Sequence, residues 1–142
     1  MVRTKAMKRK GRYYLSGEKW FVTVGDIADY FIVHAHVDDD PDKPTLFLVE
    51  KDLPGVTLKR TPKYMHSFVF EHPEFVFDEV ELDGAKILGK VGDGLELTKD
   101  WFVEARLQIA ANCLGAAIRA AEVANAYASA RIQFDRPIRD FQ

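Results

Sequence analysis

The stretch from Leu95 to Arg131 constrains this chain more than any other feature: it holds no proline, and Gly115 is its single glycine. Phe102, Ala105, Ile109, Cys113, Ala117, Ala120, Ala124 and Tyr127 recur within it at helical spacing, which predicts one continuous helix. At 1.5 Å per residue such a helix reaches about 55 Å, more than the roughly 80 residues of β character before it could cover. A second stripe of Ala110, Leu114, Ala121 and Ala128 widens the apolar face, and small side chains let helices approach closely. The helix is therefore expected to belong to a bundle whose other members are supplied by further chains or by polypeptide beyond Gln142. Cys113 falls on the apolar face, where a small buried side chain is expected.

Before Gly92 the pattern is of another kind. Aromatic and β-branched runs alternate with Gly, Pro and Asp turns. Tyr13-Tyr14-Leu15 leads to a turn expected at Ser16-Gly17, and Lys19 to Val24 alternates as a strand. Further strands are expected at Tyr30–Val37, Thr45–Glu50, Val56–Lys59 and Glu74–Leu82, the last with Phe75, Phe77 and Glu79 on one face. No helix-length segment separates these runs, which favours a small antiparallel barrel or sandwich over a parallel sheet. The expected architecture is α+β: a small antiparallel β-barrel or sandwich over residues 1–91, then the start of a helical domain over 92–142, with the long helix at about 95–131 and a turn after it.

Charge excludes some classes of partner. The chain has 20 basic and 22 acidic residues and a net charge of −2, so no global field favours nucleic acid or an anionic membrane. Arg3, Lys5, Lys8, Arg9, Lys10 and Arg12 form a local basic stretch that reads as a solvated terminal strand or as a contact for phosphates. One cysteine excludes an internal disulfide or a cysteine zinc site. No apolar run approaches a membrane span, and the basic N-terminus is not followed by a signal-peptide core. His34 and His36 share a strand face at a spacing that could hold a metal, but a third ligand is not evident and a polar sheet face is the simpler reading; no metal is expected.

Two segments carry chemistry. In Gly17-Glu18-Lys19-Trp20-Phe21-Val22-Thr23, strand parity sets Phe21 and Thr23 on one face, and an aromatic ring beside a hydroxyl suits a planar ligand with ring nitrogens. Arg131, at the end of the long helix, either complements the helix dipole or meets a pyrophosphate, with the amide and aromatic groups of Gln133 and Phe134 just beyond it.

These segments resemble signatures of the acyl-CoA dehydrogenases, flavin enzymes that introduce a 2,3 double bond into acyl thioesters. Gly17–Thr23 resembles the flavin-contacting strand, and Phe77-Asp78-Glu79-Val80-Glu81-Leu82 resembles the recurrent F-[DE]-[DE]-V-x-V/L strand. Arg131–Gln142 resembles R-x-Q-F-G-x-P-I-x-x-F-Q, with Asp135 in place of the glycine, and Gly89, Gly92 and Gly94 match the loop into the long helix. The resemblance implies the family's middle β domain followed by the first helix of its C-terminal bundle. The Gly-Ser-Asp flavin segment would lie before Met1 and most of the bundle after Gln142.

Carried over position by position, the resemblance implies FAD contacts at Phe21, Val22 and Thr23, with Thr23 reaching flavin N5. Phe21 stands where Trp is common, and Val24 where Asn is. Arg131, Gln133 and Phe134 would approach the pyrophosphate of a flavin held mainly by a neighbouring subunit, and Gln142 its adenosine end. Arg106 matches an arginine near the acyl-CoA site; its simpler reading is an exposed cation or a partner of Glu104 or Glu122. Ala105 occupies the place where some branches carry the catalytic Glu, so no catalytic residue is expected in this chain, and none of it alone is expected to turn over. His66 and His72 lie in a segment that departs from the family pattern.

The implied activity is α,β-dehydrogenation of an acyl-CoA by an FAD enzyme reoxidised by electron-transfer flavoprotein, in a homo-oligomeric dimer or tetramer, cytoplasmic or in the mitochondrial matrix. The alternatives are an oxidase or flavin monooxygenase of the same fold, and a non-catalytic oligomerisation module.

Overall fold

The computed structural model describes residues 3–65 and 70–142, so His66 lies outside the described residues. Two compact units divide the chain, Met1–Thr98 and Lys99–Gln142.

The first unit is built on seven strands: β1 (Lys5–Arg9), β2 (Arg12–Lys19), β3 (Tyr30–Val37), β4 (Pro44–Glu50), β5 (Val56–Arg60), β6 (Glu74–Leu82) and β7 (Ile87–Leu88). The basic N-terminal stretch is thus largely a paired strand, turned into β2 by Lys10-Gly11, whose φ angles of 49° and 81° give the two-residue turn that matches strand twist. Sheet order is β5-β6-β2-β1-β3-β4-β7.

Two expectations about the sheet are corrected. It is one open mixed sheet and not a closed barrel: among the described residues β5 pairs only with β6, and β7, at the other edge, is two residues long. It is also not wholly antiparallel, because β3 lies beside β1 instead of beside β2. Two strands that each run against β2 run parallel to one another, as the Lys5/His36 and Ala6/Val37 pairs do.

Alternation sets the core. Phe31, Val33, Ala35 and Val37 of β3 face Phe47 and Val49 of β4 and Phe75, Phe77, Val80 and Leu82 of β6, all buried. Phe31 packs on Phe75 at 4.7 Å between centroids and edge-on to Phe77 at 6.3 Å. The expected turn at Ser16-Gly17 is instead the middle of β2, crossed by a bulge between Leu15 and Gly17. A Cβ on Gly17 would lie 2.8 Å from the Thr4 backbone, so glycine is needed there for close packing, not for reversal. The bulge also moves Glu79 off the core face: it has φ 49°, and its carboxylate accepts from Arg9 at 2.6 Å and from the Ser16 hydroxyl at 3.1 Å.

One ion pair stands on the rim of this core. Glu74 is buried, and its two oxygens accept from Arg60 Nε and a terminal guanidinium nitrogen at 2.8 Å each. That bond holds the Glu74 carboxyl below its usual range.

The helix α1 runs from Gly94 to Ala130 as one piece, close to the expected bounds. Its start belongs to the first unit. Gly94 is buried, and a Cβ there would lie 2.8 Å from Pro44 O and Thr45 N, while Thr45 Oγ1 accepts from Gly92 N at 3.2 Å. Asp93 closes the turn by accepting from Lys90 N at 2.9 Å.

In the second unit the helix is exposed almost all round. Ile109 is 61% exposed, Leu114 64% and Tyr127 62%, and Cys113 is exposed as well. The expected burial of Cys113 does not occur among the described residues, where it stands exposed with its apolar neighbours on the helix. After the helix, β8 (Ile132–Gln133) and β9 (Arg136–Pro137) form a small hairpin turned by Phe134 and Asp135, at φ 53° and 63°. Asp135, which stands where the resembled motif has glycine, adopts the left-handed conformation, one that Asp tolerates better than most residues.

Candidate flavin-binding site

β2 does not continue through Val24 as its alternation suggests. It ends at Lys19, and the chain turns over Thr23–Ile27. Phe21 and Val24 take φ of 52° and 56°, costly for side chains of this bulk, and Thr23 N donates to Phe21 O at 2.9 Å across a three-residue turn. The turn is held from outside. Val22 N donates to Pro73 O at 3.1 Å and Val24 N to Glu71 O at 3.0 Å, so residues 71–73 run beside it like a short strand.

Departure from the strand decides what each side chain faces. Val22 packs onto the core, while Phe21 remains 59% exposed and Thr23 is exposed beside it. The Phe21 ring stacks on Tyr64 at 5.2 Å, and His72 lies 6.5 Å from it, giving an aromatic patch of three rings. Thr23 Oγ1 and His72 Nδ1 are in hydrogen-bond contact at 3.0 Å. Backbone strain combined with an exposed aromatic ring is characteristic of ligand sites.

A cleft of about 160 Å³ opens behind the turn, between Lys19–Val22 on one side and Phe31, Ile32 and Phe75 on the other. Its polar group is Lys19, whose ammonium donates to His34 O at 2.7 Å. Burial lowers the Lys19 pKa to about 8. This bond fixes the end of β2 next to the turn.

The remaining expected site residues lie in the second unit. Arg131 is exposed and without an acidic partner among the described residues; its backbone is fixed by Arg131 N donating to Tyr127 O at 2.8 Å and Arg131 O accepting from Ile138 N at 2.9 Å. Gln133 lies in β8, with its amide donating to Ile132 O at 2.8 Å, and Phe134 at the tip is 88% exposed. Phe134 meets Phe141 edge-on at 6.1 Å, Arg136 stacks on Phe141 at 3.9 Å, and Gln142 follows, exposed. The hairpin thus gathers Arg131, Gln133, Phe134 and Gln142. Arg106 stands apart, roughly 37 Å along the helix from Arg131. Its guanidinium lies over Phe102 at 5.7 Å, and Glu122, one expected partner, pairs instead with Arg119 at 3.2 Å.

Tyr64 and His72 join the site without having been assigned to it from the sequence. The only signal was that their segment departs from the family pattern. His34 and His36, the other histidines singled out, sit 5.9 Å apart; no group of three or more metal-ligating side chains occurs among the described residues, and no helix among them is long and apolar enough to cross a membrane.

Comparison with known proteins gives the family. Residues 1–80 match the acyl-CoA dehydrogenase middle domain and residues 92–142 the acyl-CoA dehydrogenase C-terminal domain. An acyl-CoA dehydrogenase of Bacillus subtilis is 38% identical over 96% of this chain, which spans 37% of that protein's length. The structure superposes with a TM-score of 0.90 on an acyl-CoA dehydrogenase of Bacillus anthracis complexed with FAD, at 30% identity over 99% of this chain and 24% of that one. A prolyl acyl carrier protein oxidase gives a TM-score of 0.89 at 34% identity, over 99% of this chain and 38% of that one. With both of its segments matched in order, this chain belongs to the acyl-CoA dehydrogenase family.

Proposed function

We propose that the protein binds FAD and that, in the complete family architecture, it oxidises acyl-CoA thioesters at the α and β carbons. The observation that carries this reading is the turn after β2, where an exposed aromatic ring and an exposed hydroxyl stand on a backbone fixed from both sides. Those groups fit an isoalloxazine: Phe21 offers a flat apolar surface, Val22 anchors it to the core, and Thr23 offers a hydroxyl to a ring nitrogen. When bound, the flavin supplies the acceptor for the substrate hydride.

The second unit offers groups for a second cofactor molecule, one held mainly by a neighbouring subunit. Arg131, exposed and without an acidic partner among the described residues, presents its guanidinium to the pyrophosphate with Gln133 and Phe134 beside it, and Gln142 lies toward the adenosine end. Arg106 is assigned to the acyl-CoA side. The position that carries a base in some branches of the family is Ala105, so none of these residues is assigned proton abstraction. Domain division at residues 91 and 92, a homo-oligomer of two or four copies, an electron-transfer flavoprotein as oxidant, and a cytoplasmic or mitochondrial-matrix setting complete the proposal.

The test uses the protein expressed from its intact gene. Purified protein is expected to carry a flavin spectrum that bleaches anaerobically on addition of an acyl-CoA and recovers with electron-transfer flavoprotein; a colourless protein that takes up no added FAD rejects the reading. A second reading has support from the oxidase among the structural neighbours. Reoxidation by air as fast as by the flavoprotein would favour it.

A further inference from the structure

We propose that His72 is a positioning residue that sets the direction of the Thr23 hydroxyl proton, and so decides whether Thr23 meets a bound flavin as donor or acceptor; this rests on the reading that Thr23 faces that cofactor. A threonine hydroxyl has one proton and two lone pairs. The side-chain partner of Thr23 among the described residues is His72 Nδ1, at 3.0 Å. With a proton on Nδ1, the imidazole donates to Oγ1 and the hydroxyl proton is directed away, toward whatever lies beyond Thr23. With Nδ1 bare, Thr23 donates to the imidazole, and Oγ1 offers only lone pairs outward.

The pairing is built into the backbone. His72 lies between the two carbonyls, of Glu71 and Pro73, that accept from Val24 N and Val22 N, at 3.0 and 3.1 Å, and Thr23 is the residue between those donors. Thr23 and His72 are thus directly opposed across a short two-strand ladder. The imidazole is also held among rings, with its centroid 6.0 Å from Tyr64 and 6.5 Å from Phe21. A long flexible side chain meeting Thr23 from a loop would lack this fixed register. N5 of a flavin accepts a hydrogen bond when oxidised and donates one when reduced, so a hydroxyl able to reverse its polarity matches both states, and an imidazole with two tautomers permits the reversal. His72 acts only through Thr23 and is not a catalytic residue.

Two measurements test this. In flavin-free protein labelled with ¹⁵N-histidine, Thr23→Val is expected to shift the His72 ring-nitrogen resonances, and Thr23→Ser, which keeps the hydroxyl, to leave them nearly in place. Unmoved resonances in Thr23→Val overturn the inference whatever the cofactor. In FAD titrations, Thr23→Val and His72→Phe are each expected to weaken binding by about 3- to 10-fold, as for one hydrogen bond. The double variant should bind no more weakly than Thr23→Val alone. His72→Asn supplies the second arm should the Phe variant fold poorly. Single effects that multiply in the double variant, or a His72→Phe protein that binds as the unsubstituted one does, overturn this inference and leave the flavin reading intact. No uptake of FAD by the unsubstituted protein overturns both.

Discussion

The sheet unit and the helical unit spend their apolar residues in opposite ways. In the first, Phe47, Val49, Leu15 and Val80 are fully buried by strands that are distant in sequence. In the second, side chains of similar size stand in solvent: Leu107 is 69% exposed and Ile118 53%. The sheet is stabilised by contacts within its own residues, whereas the helix derives its form from local propensity and length, with little tertiary packing within this chain. Apolar exposure on this scale marks a surface that stability alone does not explain.

The sharpest way to break the comparison is to truncate one side chain in each unit. Phe47→Ala is expected to cost about 3–5 kcal/mol in chemical denaturation, enough to unfold the sheet, since it removes a fully buried ring. Ile109→Ala should change the unfolding free energy of this chain by less than about 0.5 kcal/mol, because its side chain is already exposed. A large effect of Ile109→Ala in dilute monomer would erase the distinction. At the junction, Gly94→Ala places a methyl 2.8 Å from the β4 backbone and is expected to destabilise by about 1–3 kcal/mol, despite alanine's better helix propensity; a more stable variant would show that the close approach is dispensable.

Acid and base probe the sheet unit in opposite directions. The Glu74 carboxyl is lowered by its bond to Arg60, so the folded pKa lies below the unfolded one. Its stabilisation is present above the unfolded pKa and is lost as pH falls through the folded value. Thermal scans in the acid range should therefore show a loss of stability that is much reduced in Arg60→Met. Lys19 titrates in the other direction from the usual lysine. Its folded pKa is lowered to about 8, so the penalty of burying its charge is full below that pH and is relieved as pH rises toward the unfolded value. Stability should rise between about pH 8 and 10 by on the order of 1 kcal/mol, reduced from the full shift because the ammonium keeps part of its water. A Lys19→Met protein with the same slope would assign it elsewhere.

Much of this architecture is legible in the residues. β3 and β4 alternate cleanly because one face of each packs on the core, and the helix announces itself through an absence of breakers. Bulges hide better. One added residue in β6, at Asp78-Glu79 opposite Ser16, reverses parity downstream, and nothing in Ser16-Gly17 distinguishes a strand packed on Thr4 from a reversal. Likewise Trp20–Val24 has the composition of a strand, and its turn is imposed by Glu71 and Pro73, about fifty positions away. The parallel β1–β3 pair escapes notice for a similar reason: strand order is a long-range property. Phe21 and Thr23 stand out in the sequence by parity and by the resemblance, whereas Tyr64 and His72 lie in a stretch without a matching motif and come beside Phe21 only through the fold.

The hairpin of β1 and β2 has a temporal consequence. Its register is set by the two-residue turn at Lys10-Gly11, so it can close on the microsecond scale typical of hairpins. The next pairing of β2, with β6, joins residues such as Tyr14 and Glu81, 67 positions apart, and must await a much larger loop closure. Pulse-labelled hydrogen exchange during refolding should protect the amides of Lys5–Leu15 before those of Glu74–Leu82; simultaneous protection would argue against the hairpin as nucleus. Until β6 arrives, one edge of β2 is an open template. The segment that holds the turn after β2, residues 71–73, runs directly into β6, so Phe21 and Thr23 are expected to reach their final geometry among the last features of the fold.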